Sequence, residues 1–177
     1  MGEKDRMFAY REDALRYGTY MGLFWIVKFS FIPLGFAVPL LQLLFVLCTL
    51  FVPILGYIFV RKYRKTYNEG GFSFFKALNF TLLMYMAAIL LTAIAHYVYF
   101  RYMDNGYLIS CFQQQIHALK EVYAGVNPAL VENYVRAFDM FASLTPLQVV
   151  VQLISQNVFY CVLLSVFTAL CTMKRRN

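Results

Sequence analysis

An all-α integral membrane protein is the fold class this 177-residue sequence predicts, and three observations predict it. Charged residues make up only 14% of the chain, against roughly 25% in an ordinary soluble domain, while 61% of residues are hydrophobic and 19% aromatic. Residues 29–60 run for 32 positions without one charge. Apolar stretches then recur at intervals, with basic residues gathered beside them. A water-soluble globule of this composition would lack the charge to coat its surface. The length accommodates one domain, taken as residues 1–177.

The segments follow in chain order. The opening MGEKDRMFAYREDALRY mixes four cations with four anions and lacks the basic, apolar, small-residue order of a cleaved signal peptide. It also lacks the hydroxyl residue of a myristoylation site, and the tail is not a prenylation box, so anchoring is expected from the spans. At about 1.5 Å per residue, some 20 apolar residues cross a hydrocarbon core of roughly 30 Å. Residues 74–100 and 146–173 meet that test directly. Residues 17–60 carry one charge, Lys28, and are too long for one crossing. They fit two spans, about 17–35 and 39–60, joined at IPLGFAVP, where Pro33, Gly35 and Pro39 supply a stop and a restart. The rival reading makes 17–28 an interfacial helix and 29–60 one tilted span.

Four spans make the cation count lopsided. Twelve Lys and Arg lie on one face, in the amino terminus, the 61–76 loop and the tail; the other face carries Arg101, Lys120 and Arg136. The positive-inside rule places both termini and that loop in the cytoplasm. RKYRK, with Arg61, Lys62, Arg64 and Lys65, then acts as a fence at the end of the second span and is a candidate contact for acidic lipid or an acidic partner. Tyr57, Tyr63 and Tyr67 on this side, with Tyr97, Tyr99, Tyr102 and Tyr107 on the other, form the expected interface belts.

Residues 101–145 are too polar to span but are patterned. Ile109, Phe112, Ile116, Leu119 and Tyr123 recur at steps of three and four, opposite Gln113, Gln114, His117, Lys120 and Glu121. Gly125 offers a stop, and Asn127-Pro128 an N-cap with proline at the first helical position. A second helix carries Val131, Tyr134, Val135, Phe138 and Phe141 on one face, with Glu132 and Arg136 four apart on the other. The pair is expected to form an extracytoplasmic helical hairpin between the third and fourth spans, to lie on the outer leaflet, or to extend the spans it joins.

Few residues point to chemistry. No phosphate-binding glycine loop or hydrolase signature occurs, which argues against an enzyme. Lys28 falls roughly 16 Å into the first span, with no acid in any span to pair with it. An ionisable group at that depth raises a functional question by default. Snorkelling, bonds to backbone carbonyls near the Pro33 break, loss of its proton and contact with a lipid phosphate are its alternatives. Gln148, Gln152 and Gln156 recur every four residues along the outer half of the fourth span, a stripe suited to hydrogen bonding within the bundle, across a homo-oligomer, or along a polar path. His96, near the outer end of the third span, is its nearest expected partner. Cys48, Cys111, Cys161 and Cys171 are widely spaced, and with two histidines they make no metal framework. Asp104, Glu121, Glu132 and Asp139 are read as solvated, and no cofactor is expected. The net charge of +7 is spread beside apolar segments, which favours membrane lipid over nucleic acid as counterion.

RKYRKTYNEGGFSFFKAL, residues 61–78, carries a basic stretch, then Glu69, Gly70-Gly71, and Phe72-Ser73 leading to Ala77 at the third span. With the span layout, this resembles the bacterial membrane family called domain of unknown function 4199. The outer segment here is more aromatic and less acidic than is common in that family. The resemblance implies a multi-pass protein of the bacterial inner membrane with no established activity, and a polyprenyl-phosphate glycosyltransferase as one partner. Gly70-Gly71 is expected to form a tight re-entry and Ser73 to cap the third span. The functional expectation is a non-enzymatic accessory or scaffold protein that holds a protein partner or another copy of itself. The alternative is a small oligomeric transporter or lipid-handling protein that uses Lys28 and the glutamine stripe.

Overall fold

The computed structural model describes residues 3–67, 71–123 and 128–173. Six α-helices are described: α1 (Glu3–Gly35), α2 (Pro39–Tyr67), α3 (Phe74–Val98), α4 (Tyr107–Tyr123), α5 (Pro128–Ala142) and α6 (Pro146–Thr172), with a π-helical turn, Tyr99–Met103, after α3. Three are long and apolar enough to cross a membrane: Pro39–Thr66, Phe74–Met103 (α3 with the π turn) and Pro146–Thr172. The chain divides into one compact unit of residues 1–95 and 154–177 and a second of residues 96–153.

In the first unit the break expected at IPLGFAVP falls between Gly35 and Pro39. Pro33 sits in the last turn of α1, and Pro39 opens α2, where its missing N–H leaves nothing unpaired. The turn closes through Ala37 and Val38 N–H groups on the Leu34 carbonyl. A Cβ on Gly35 would lie 2.5 Å from Gln42 Cγ and 3.2 Å from the Gln42 backbone N, so a larger residue here would have to displace the Gln42 side chain. Contacts between α1 and α2 pair rising with falling numbers, Tyr10 with Tyr63, Tyr17 with Phe59 and Lys28 with Phe45, so the two helices run antiparallel.

α1 also lies against α3, now in parallel: Gly18 meets Met84 and Ala87, and Gly22 meets Ala88 and Leu91. Buried Ala14 continues the row one turn earlier, giving small residues at 14, 18 and 22. This small-x-x-x-small pattern lets two backbones approach, which replaces the hydrophobic driving force that helices lose inside lipid. Two apolar clusters fill the unit. One holds Met21, Trp25, Val52, Met84, Tyr85, Ala88, Ile89 and Cys161. The other gathers Ala14, Val60, Tyr63, Phe72, Ala77, Phe80 and Ala169.

The segment expected to be a loop from residue 61 is helical as far as Tyr67. Residues 61–67 hold no glycine or proline, and Arg64 and Lys65 in the last turn suit the negative end of the helix dipole. Gly71 adopts φ 142°, a value that favours glycine, and the Ser73 hydroxyl then accepts the Lys76 N–H at 3.4 Å to cap α3. Glu69 and Gly70 lie outside the described residues.

In the second unit, α4 and α5 touch one another. The face of α4 expected to be apolar is partly buried at Ile109, Phe112, Ile116 and Leu119, while Gln113, Gln114, His117 and Glu121 are exposed. On α5, Val131 is buried, and Val135, Phe138 and Phe141 are partly so. Tyr134 departs from the expected face and is 55% exposed. Pro128 does open α5; Gly125 and Asn127 lie outside the described residues.

Candidate functional site

The basic end of α2 sorts its residues by face. Arg61, Lys62 and Lys65 are exposed. Tyr63, expected at the interface, is buried instead, with its ring stacked 4.2 Å from Phe80. A helix places residue 63 on the face opposite residues 61 and 65, and the aromatic pocket of Tyr10, Phe72 and Phe80 receives it. Arg64 turns inward too: its Nη1 donates to the Thr172 carbonyl at 2.6 Å, one of the unpaired acceptors at the end of α6. The fence therefore has two roles, with Arg64 tying α2 to α6 and three cations facing outward.

Tyr10, before the first expected span, donates its hydroxyl to the Lys76 carbonyl at 3.2 Å. Burial, with the neighbouring Tyr63 phenol adding to it, pushes the Tyr10 hydroxyl up to about 12.

Lys28 is partly buried and reaches neither an acid nor a carbonyl among the described hydrogen bonds and ion pairs. Its Nζ lies 5.9 Å from the Trp25 ring and 5.3 Å from the Phe45 ring, within cation–π range. Cys48 and Cys161 are its other electrostatic neighbours. Gln156, in the same unit, is exposed and is not among these neighbours.

The structure also reveals a polar seam that span-level reading passed over. α6 buries Cys161, Ser165, Thr168 and Thr172, and α3 buries Thr81, Tyr85 and Thr92, each set at steps that keep one helix face. Thr81, Thr92 and Thr172 fold their hydroxyls back onto the carbonyl four residues earlier. Ser165 and Thr168 do not, and their oxygens lie with the Tyr85 hydroxyl and the Trp25 indole N–H among the buried polar atoms without a well-formed hydrogen bond. Gly56 makes room here, since a Cβ on it would fall 2.3 Å from the Tyr85 oxygen and 3.8 Å from Thr168 Oγ1.

The glutamines separate into two roles. Thr145, Pro146 and Gln148 form a capping box at the start of α6: Gln148 Oε1 accepts from the Thr145 backbone N–H at 2.8 Å and from its hydroxyl at 2.9 Å. The sequence signal for this was the hydroxyl residue three positions before a glutamine. Gln152 and Gln156 are exposed. His96 is buried in the last turn of α3.

Among the acids, Glu121, Glu132 and Asp139 are exposed as expected, but Asp104 is only 6% exposed. Its Oδ1 accepts the Tyr99 hydroxyl at 2.9 Å and the Leu108 N–H at 3.2 Å, and its backbone N–H donates to the Tyr99 carbonyl five residues back. The carboxylate is buried because the π turn brings Tyr99 over it and the start of α4 offers it a backbone donor. No group of three or more His, Cys, Asp or Glu able to hold a metal occurs among the described residues.

A family model described as a protein of unknown function, DUF4199, matches residues 16–174. No curated protein and no solved structure matches the chain. The match takes in the three helices long and apolar enough to cross a membrane, the basic end of α2, the turn at Gly71 and helices α4 and α5, and on that breadth the chain belongs to the DUF4199 family.

Proposed function

We propose that this protein is a non-enzymatic accessory or scaffold protein of a bacterial cytoplasmic membrane, crossing four times with both termini inside. The supporting observation is the division of labour at the end of α2. Tyr63 and Arg64 are spent on internal packing, while Arg61, Lys62 and Lys65 are left on the surface. Three cations held on a rigid helical extension form a docking surface for an acidic partner or anionic headgroups. α1 supplies the first crossing. It runs antiparallel to α2 and exposes Leu23, Val27 and Leu34 where lipid would lie. The helices between the third and fourth crossings then belong to the outer side.

The test is copurification from native membranes in mild detergent, comparing wild type with the R61E/K62E/K65E variant. A stoichiometric partner chain is expected with wild type and is lost with the variant, which keeps its own melting temperature; a polyprenyl-phosphate glycosyltransferase is the first candidate to examine. A wild-type protein that elutes alone, and whose deletion changes no partner's level, refutes the scaffold reading.

A second reading, a lipid-handling or transport role, is favoured by one observation: Lys28 sits partly buried between two aromatic rings. Its test is Lys28→Met in vesicles containing anionic lipid. Loss of lipid-dependent thermal stabilisation, with no change in zwitterionic vesicles, supports this role.

A further inference from the structure

α6 has two unlike faces. Cys161, Ser165, Thr168 and Thr172 face the interior. At 100° per residue, Gln152 and Gln156 project from the opposite side, among Phe159, Leu163 and Leu170, all more than half exposed. α6 is about 40 Å long at 1.5 Å per residue, so both side chains fall inside a hydrocarbon core of roughly 30 Å. The rest of the chain buries Val149 on this side of α6 but leaves both amides exposed. Lipid cannot satisfy them, because hydrocarbon offers an amide no hydrogen bond. Gln148 stands apart, its carbonyl oxygen already engaged by Thr145.

We infer that Gln152 and Gln156 are the hydrogen-bonding centre of an α6–α6 interface between two copies of this chain. Copies inserted with the same threading are related by a two-fold axis along the membrane normal. Each residue therefore meets its own counterpart at the same depth. A charged stripe would repel itself in that arrangement. An amide carries both donor and acceptor, so it is its own complement. A different protein would need amides at the same two depths, whereas a second copy supplies them automatically. This inference is independent of the role proposed for the basic end of α2.

The experiment uses the full chain with its four cysteines replaced by alanine and one cysteine introduced at a time, oxidised in native membranes with copper phenanthroline. Gln156→Cys and Gln152→Cys are expected to give a crosslinked dimer; Leu44→Cys, exposed on α2, is expected to remain monomeric. In parallel, Q152L/Q156L in an otherwise wild-type chain is expected to weaken dimerisation by about tenfold in detergent. This outward-facing change should leave the melting temperature of the monomer unaltered. Monomeric wild-type protein in membranes, crosslinking only to a chain of different mass, equal crosslinking at Leu44, or full dimerisation of Q152L/Q156L would each overturn the inference.

Discussion

Gly56 and Tyr85 illustrate how tightly single residues are matched inside the bundle. A methyl group at position 56 would overlap the Tyr85 hydroxyl at 2.3 Å. Gly56→Ala is therefore expected to cost about 1–3 kcal/mol of stability, the usual range for overpacking. Because the clash is with one oxygen, the Gly56→Ala/Tyr85→Phe pair should recover most of that loss. Thermal melts of the two single variants and the double variant measure the coupling, and strict additivity would show that the strain lies elsewhere.

Tyr10 adds a pH dependence. Its folded-state pKa of about 12 lies above the unfolded value of 10, because burial disfavours the phenolate. An unfolded chain thus releases this proton first as pH rises. Stability from Tyr10 is intact below pH 10 and is lost as pH climbs through about 12. Ultraviolet titration at the phenolate band is expected to show one fewer late-ionising tyrosine in Tyr10→Phe than in wild type, and the stability of Tyr10→Phe should vary less across that window.

At the scale of elements, the start of α4 depends on a carboxylate that precedes it. Asp104 joins the π turn to the helix through Tyr99 and Leu108, across Asn105 and Gly106 at positive φ. Replacing Asp104 with Ala removes the acceptor for a buried N–H, a loss of about 1–3 kcal/mol that should appear locally. Hydrogen exchange across 107–123 is expected to accelerate, while α1 and α2 keep their protection. Asp104→Asn retains an acceptor oxygen and should fall between wild type and Asp104→Ala. The solvated role expected for Asp104 failed because nothing in a linear pattern reports that a helix end will widen into a π turn. The turn and cap residues were readable where their chemistry is local: Pro39, Pro128, Ser73 and Gly71 all act where their neighbours imply. The Thr145–Gln148 capping box was equally local and was masked by its membership in the glutamine stripe.

For the whole molecule, the four crossings proposed above make a specific prediction about sides. In the cysteine-free background, Thr66→Cys at the end of α2 should react with a membrane-impermeant maleimide only after the membrane is opened. Ser143→Cys, after α5, should react in intact cells lacking an outer-membrane barrier. Both positions are exposed, so access depends on side alone. Labelling of both from one side would mean that α3 does not cross.

Composition and spacing by themselves determined that this chain is helical with segments apolar enough to cross a membrane, where α1 ends, and where α2, α3 and α6 begin. These follow from properties summed along the chain: apolar length, charge count and turn chemistry. Only the tertiary structure decided which polar side chains look inward. A soluble helix announces its buried face by contrast with water, but α3 and α6 show no such contrast between their faces, since lipid and bundle interior are equally greasy. Nothing in that pattern could say that Ser165 and Thr168 are buried, Thr168 near Tyr85, while Gln152 and Gln156 are exposed. Packing settled it, because the bare backbone at Gly56 makes the room that the Tyr85 and Thr168 hydroxyls occupy.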